Sequence, residues 1–132
     1  MKKWFGGLFF TAIPFPPTAP TASDETPDQA TVAWQSGGGP AADNFTLYYR
    51  AKTVIEWNVL KGIKDRTVTL QGLKTYTTYL CRVFAVNGAG ISRPSPLSEF
   101  TTAEKGVYFF YFINNMNMKV IQWVKQYKKA VS

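Results

Sequence analysis

The stretch from Leu73 to Ser92, LKTYTTYLCRVFAVNGAGIS, limits the fold of this chain more than any other. Tyr79, Cys81, Val83 and Ala85 fall on one face of an extended backbone, and Leu80, Arg82, Phe84 and Val86 on the other. Successive side chains of a strand point to opposite faces, so this period of two in aromatic and β-branched residues predicts a long strand. Asn87, Gly88 and Gly90 accept positive φ and predict a turn after it. Leu73, Tyr76 and Tyr79 mark a corner before it.

Shorter segments repeat the pattern on either side. Residues 14–23, PFPPTAPTAS, read as a proline-rich linker into a first edge strand. Ala30–Ser36 places Ala30, Val32 and Trp34 on one face. Phe45–Lys52 points Phe45, Leu47 and Tyr49 inward and Thr46, Tyr48 and Arg50 outward. Ile55–Leu60 is expected to be a short strand with Trp57 half exposed, and Gly62 with Lys64–Asp65 to turn the chain. Arg66–Leu70 brings Val68 and Leu70 inward, and Leu97–Thr102 closes the set with Phe100 in the core. Seven short strands with turn signals about every ten residues predict an all-β fold, a seven-stranded antiparallel Greek-key β-sandwich of the immunoglobulin-like kind. A tyrosine just before the sixth strand, with its hydroxyl turned back to the backbone, is the expected corner of such a sandwich. The predicted core comprises Trp34, Phe45, Leu47, Tyr49, Leu70, Leu73, Tyr79 and Val83.

Composition removes several chemistries. A chain of 132 residues with 45% hydrophobic side chains supports one domain with a real core. It has no histidine and one cysteine, Cys81, which excludes a His-based triad, a Cys–His zinc site and an intrachain disulfide. Cys81 reads as a small buried apolar residue. Asp24, Glu25 and Asp28 read as solvated turns rather than a calcium site, since no further oxygen ligands cluster near them. Gly37–Gly39 lacks the Lys-Ser/Thr of a phosphate loop. The expectations are therefore no catalytic residue, no cofactor and no metal.

The net charge of +7 suggests nucleic acid until its position is considered. Residues 14–104 hold eight basic and eight acidic side chains, so the excess lies wholly in Lys2, Lys3, Lys105, Lys119, Lys125, Lys128 and Lys129. The middle of the chain has no basic bias, and no nucleic-acid partner is expected.

With these residues in place, the span 17–104 resembles a fibronectin type III domain. The resemblance rests on Trp34, on Phe45-x-Leu47-x-Tyr49, and on Leu70-x-x-Leu73 leading to Tyr79. It continues through Arg82-Val83-x-Ala85-Val86-Asn87 into Gly90-x-Ser92, Pro94-Ser95 and Thr101-Thr102. Phe45 stands where the family usually has tyrosine, and Thr75 where it usually has proline. The resemblance implies a non-catalytic protein-interaction or spacer module of an adhesion, receptor or matrix-type multidomain protein, outside the cell or at a membrane. Two alternatives stay open: a small membrane-associated protein, and an accessory domain detached from an enzyme.

The resemblance covers neither end. Residues 1–16 form an apolar, proline-rich leader whose first 13 residues have the layout of a secretory signal, or of an apolar strap on the domain. Residues 105–132 are aromatic and basic. Ile113, Met116, Val120, Trp123 and Tyr127 recur at helical spacing, so this tail reads as an amphipathic helix or as a segment without selected structure. Weak membrane contact through the two ends follows from their lysines and aromatics.

A protein partner is the expected ligand. Tyr48, Arg50, Trp57, Arg82 and Phe84 share an outward face, and aromatic residues with arginine are a hot-spot composition. The loop Asn87, Gly88, Ala89, Gly90, Ile91, Ser92 and Arg93 is the second candidate. Asn44-Phe45-Thr46 is an N-glycosylation sequon, which makes Asn44 a candidate modification site.

Overall fold

The computed structural model describes residues 2–5 and 8–105; the helix expected over the C-terminal tail lies outside them. Two short strands, β1 (Lys2–Phe5) and β2 (Leu8–Thr11), pair antiparallel at the start of the chain. The sandwich follows. One sheet is ordered β3-β4-β7, from β3 (Thr21–Ser23), β4 (Ala30–Ala33) and β7 (Thr67–Leu70). The other is ordered β10-β8-β5-β6, from β5 (Asn44–Ala51), β6 (Asn58–Ile63), β8 (Thr78–Asn87) and β10 (Ser98–Thr101). A two-residue strand, β9 (Gly90–Ile91), folds back on the end of β8. All strand pairs are antiparallel, and the seven-stranded all-β sandwich expected from the alternation is present.

Register explains which side chains are buried. Phe45, Leu47 and Tyr49 lie opposite Ala85, Val83 and Cys81, so one face of β5 and β8 turns inward together. Leu47 and Val83 are fully buried there, and Tyr49 is half-buried against the core. From the other sheet come Ala30, Val32, Trp34 and Leu70, with Trp34 edge-on to Phe45 at 5.6 Å between ring centres. Burying an aromatic pair in this geometry adds about 0.5–1.5 kcal/mol beyond area alone. Leu73 joins this core from beyond the end of β7.

The corner forms as its tyrosine predicts. The Tyr79 hydroxyl accepts a hydrogen bond from the Lys74 amide at 2.8 Å, and the ring stacks on Phe100 at 5.5 Å. Thr102 holds the other backbone group of the same residue: its Oγ1 donates to the Lys74 carbonyl at 2.6 Å and accepts from the Thr77 amide at 2.9 Å. Thr75, in the place of a proline, has its carbonyl bonded by Thr77 Oγ1 at 2.9 Å.

The structure moves two local expectations. The strand expected over Ile55–Leu60 begins later and runs from Asn58 to Ile63. Arg50 Nη1 donates to the carbonyls of Ala51, Lys52 and Val54, which holds residues 51–54 as a turn and leaves Ile55 90% exposed. Gly62 is not part of the turn but lies inside β6, at φ 70°. Between the pairs Phe45↔Ile63 and Leu47↔Leu60, β6 carries one residue more than β5, which is a bulge.

Prolines interrupt both edges of the sandwich, and side chains take over the broken ladders. Pro94 and Pro96 prevent regular pairing before β10. Ser92 and Ser95 replace it: each backbone amide donates to β8 at 2.8 Å, and each Oγ accepts a β8 amide at 2.9 Å. At the other end of the chain, Thr18 and Gln35 bond through Thr18 N to the Gln35 carbonyl and Gln35 N to Thr18 Oγ1. Pro14, Pro17 and Pro20 are buried, so residues 12–20 lie along the domain. Gly37 permits this: a Cβ there would lie 1.8 Å from the Pro16 carbonyl oxygen.

Candidate functional site

The outer face of the four-stranded sheet is built by the same register that buries the core. Tyr48 on β5 stands opposite Arg82 on β8 and Val59 on β6, and Thr46 stands opposite Phe84. Trp57 reaches this face from the residue before β6. The Tyr48 ring centre is 5.1 Å from Phe84 and 6.1 Å from Trp57. Two guanidinium groups stack on one indole: Arg50 Cζ is 4.8 Å and Arg82 Cζ 4.9 Å from the Trp57 ring centre. Arg82 is also 5.7 Å from Phe84 and 5.9 Å from Tyr48. All five residues proposed from sequence for this face therefore converge in one cluster, and all are half-buried.

The two arginines differ in their donors. Arg50 uses Nη1 on the backbone of the following turn, most closely on the Val54 carbonyl at 2.7 Å. The Arg82 side chain makes no hydrogen bond and has no carboxylate partner among the described residues, and its Nε, like that of Arg50, is shut off from water and unpaired. The carboxylate nearest in register, Glu99 on β10, is paired with Lys52 at 3.0 Å. That pair is exposed and contributes little to stability.

Beside the cluster the face opens into a groove of about 300 Å³ lined by Asn44, Thr46, Tyr48, Lys61, Phe84, Val86 and Ile91. Sequence reasoning missed Thr46, Lys61 and Val86 as parts of one surface. They come from three strands, and the bulge at Gly62 conceals the register that brings Lys61 beside Thr46. Asn44, the sequon residue, is half-buried at the rim of this groove.

The candidate loop divides into framework and surface. Asn87 is buried; its Nδ2 donates to the Ala12 carbonyl at 2.8 Å and the Ala41 carbonyl at 3.3 Å, and its Oδ1 accepts the Ala89 amide. Ser92 is buried in the ladder already described, and Gly90 adopts φ 146° where the chain reverses. Gly88, Ala89, Ile91 and Arg93 are the loop's exposed positions, and Gly90 is half-buried.

The remaining polar groups are framework. Burial pushes the Cys81 thiol up to about 11, which keeps it protonated at neutral pH. Burial, and then the neighbouring Tyr79, raises the Tyr49 hydroxyl above its ordinary value. Asp24, Glu25 and Asp28 are exposed, and no group of three or more acidic or cysteine side chains placed to hold a metal occurs among the described residues.

Comparison with known proteins agrees with this architecture. The sequence profile of the fibronectin type III domain matches residues 15–101. The chain is 34% identical over 95 residues to receptor-type tyrosine-protein phosphatase F of Danio rerio, covering 71% of this chain and 5% of that protein. It is 33% identical to Roundabout homolog 2 of Homo sapiens, over 66% of this chain and 7% of that one. Myosin-binding protein C, cardiac-type, of Gallus gallus is 34% identical, again over 66% of this chain and 7% of its own length. This chain thus spans under a tenth of the length of these relatives. Among solved structures, titin domains A168–A170 superpose with a TM-score of 0.62 and 29% identity, covering 70% of this chain and 33% of that one. The fibronectin type III domain of a human protein named for that domain superposes at 0.64, with 24% identity over 74% of this chain and 93% of that one. With its seven strands, its tyrosine corner and this matched span, the chain belongs to the fibronectin type III domain family.

Proposed function

We propose that this chain is a non-catalytic protein-interaction module that binds through the outer face of its four-stranded sheet. One observation carries the reading: Tyr48, Arg50, Trp57, Arg82 and Phe84 form a contiguous, half-buried aromatic and guanidinium cluster next to an open groove. Rigid aromatics lose little entropy on binding, and aromatics together with arginine dominate interface energetics. Both strands that supply most of the cluster are anchored in the core on their other face, so the surface is presented ready-formed. Kinship to a receptor-type phosphatase and to a Roundabout homolog supports placing the module in a receptor-like multidomain protein, outside the cell or at its membrane.

A photo-reactive residue placed at Val59, exposed beside the cluster, tests the reading against one placed at Thr69, exposed on the opposite sheet. Adducts with a partner are expected from position 59 and not from 69. Equal labelling from both positions, or labelling from 69 alone, would remove this face as the binding surface.

A further inference from the structure

We infer that the groove beside Arg82 receives an extended segment of a partner protein carrying an acidic side chain two residues from an apolar one; this rests on the outer face being an interaction surface. Arg82 is the first reason. Its guanidinium lies among three aromatic rings, with no hydrogen bond and no carboxylate among the described residues. A second guanidinium, that of Arg50, shares the Trp57 ring. Lys61 adds a third cation on the groove wall. Unspent donors in a fixed planar fork match a carboxylate in two places at once. The stacked rings hold that fork in place, so little rotamer freedom remains to be lost.

Spacing is the second reason. Arg82, Phe84 and Val86 follow one another on the outer face of β8, and Ile91 stands opposite Val86. Alternate side chains of an extended peptide repeat at roughly 6.6–6.8 Å, the same repeat as β8 itself. A peptide lying along β8 with its carboxylate on Arg82 therefore sets its next same-side residue over Phe84 and the one after that over Val86. There the lining is Tyr48, Phe84, Val86 and Ile91, and an apolar side chain fits it.

The third reason is charge. No Asp or Glu precedes Asp24, and none follows Glu104, while residues 106–132 contain four lysines. The leader and tail of this sequence are cationic, as the groove is, so like-charge repulsion disfavours either of them as its occupant.

Amide shifts of the full chain, titrated with the blocked pentapeptide Glu-Ser-Leu-Ser-Val, test the proposal. The same peptide with Gln for Glu is the reference. The glutamate peptide is expected to shift β8, β9 and the Arg82 Nε–H, and to bind at least ten-fold more tightly than the glutamine peptide. Arg82→Gln should erase that ratio, Lys61→Gln should reduce it several-fold, and Lys64→Gln, in the turn between β6 and β7, should leave it unchanged. If Arg82→Gln melts early, the exposed Lys61→Gln carries the test. Equal binding of the two peptides together with adducts from position 59 would overturn the acidic chemistry while sparing the interaction face; the loss of both would overturn both. Failure of the glutamate peptide to bind, with β8 shifts appearing when residues 106–132 are removed, would assign the groove to the chain's own tail and overturn the proposal.

Discussion

Tyr79 does two things with one side chain. Its ring fills core between Tyr49 and Phe100, and its hydroxyl takes the Lys74 amide that the corner would otherwise leave unpaired. Removing only the oxygen separates the two. Tyr79→Phe keeps the ring and orphans a backbone donor, so unfolding free energy should drop by about 1–3 kcal/mol in a denaturant titration. A change within error would mean that water or Thr102 satisfies the corner without the hydroxyl. The contrast with Arg82 is instructive. Both are polar groups on β8, yet the tyrosine's backward bond was legible from its place at the start of a strand, whereas arginine's lack of a hydrogen-bond partner among the described residues appears only in the folded domain. Cys81 agrees with its sequence reading: on the inward face, its thiol is held protonated by burial alone.

Among the elements, β8 is the one others depend on. It pairs with β5 along one edge, and with β9, β10 and the two serine bridges along the other. Its alternation was legible because burial on one side and an aromatic surface on the other give a clear period of two. The β6 strand was less legible. Its start is set by Arg50 reaching carbonyls up to four residues ahead, and its middle by a bulge, and neither leaves a periodic trace. The proline-rich segment before β3 shows a third case. Its sequence excludes regular structure, but its path along the domain depends on a distant glycine. Gly37→Ala would drive a methyl group into the Pro16 carbonyl, and overpacking of this kind costs about 1–3 kcal/mol. Limited proteolysis should then cut residues 12–17 faster while β8 amides stay protected. Unchanged cutting would show that the segment moves aside freely.

At the scale of the molecule, charge separates the domain from its ends. The chain carries +7, and residues 105–132 supply five lysines and no acid, so a chain ending at Glu104 carries +2. No helix among the described residues is long and apolar enough to cross a membrane. We propose that any weak membrane contact belongs to the ends. The full chain should float with anionic vesicles at low salt and lose them as salt rises, while the chain ending at Glu104 should stay behind. Equal flotation of the two would end the membrane reading. Sequence alone determined the sandwich, its corner and its core, because alternation, turn residues and one well-placed tyrosine are local signals that the burial of a single shared face makes consistent. It also determined the candidates for the outer cluster, since register parity fixes which residues point out. Tertiary structure decided how they meet. The stacking of two guanidinium groups on one tryptophan, the absence of a hydrogen-bond or carboxylate partner for the Arg82 side chain among the described residues, and the groove joined by Lys61 and Ile91 arise between strands distant in sequence, where a bulge and a side chain capping a turn set the register.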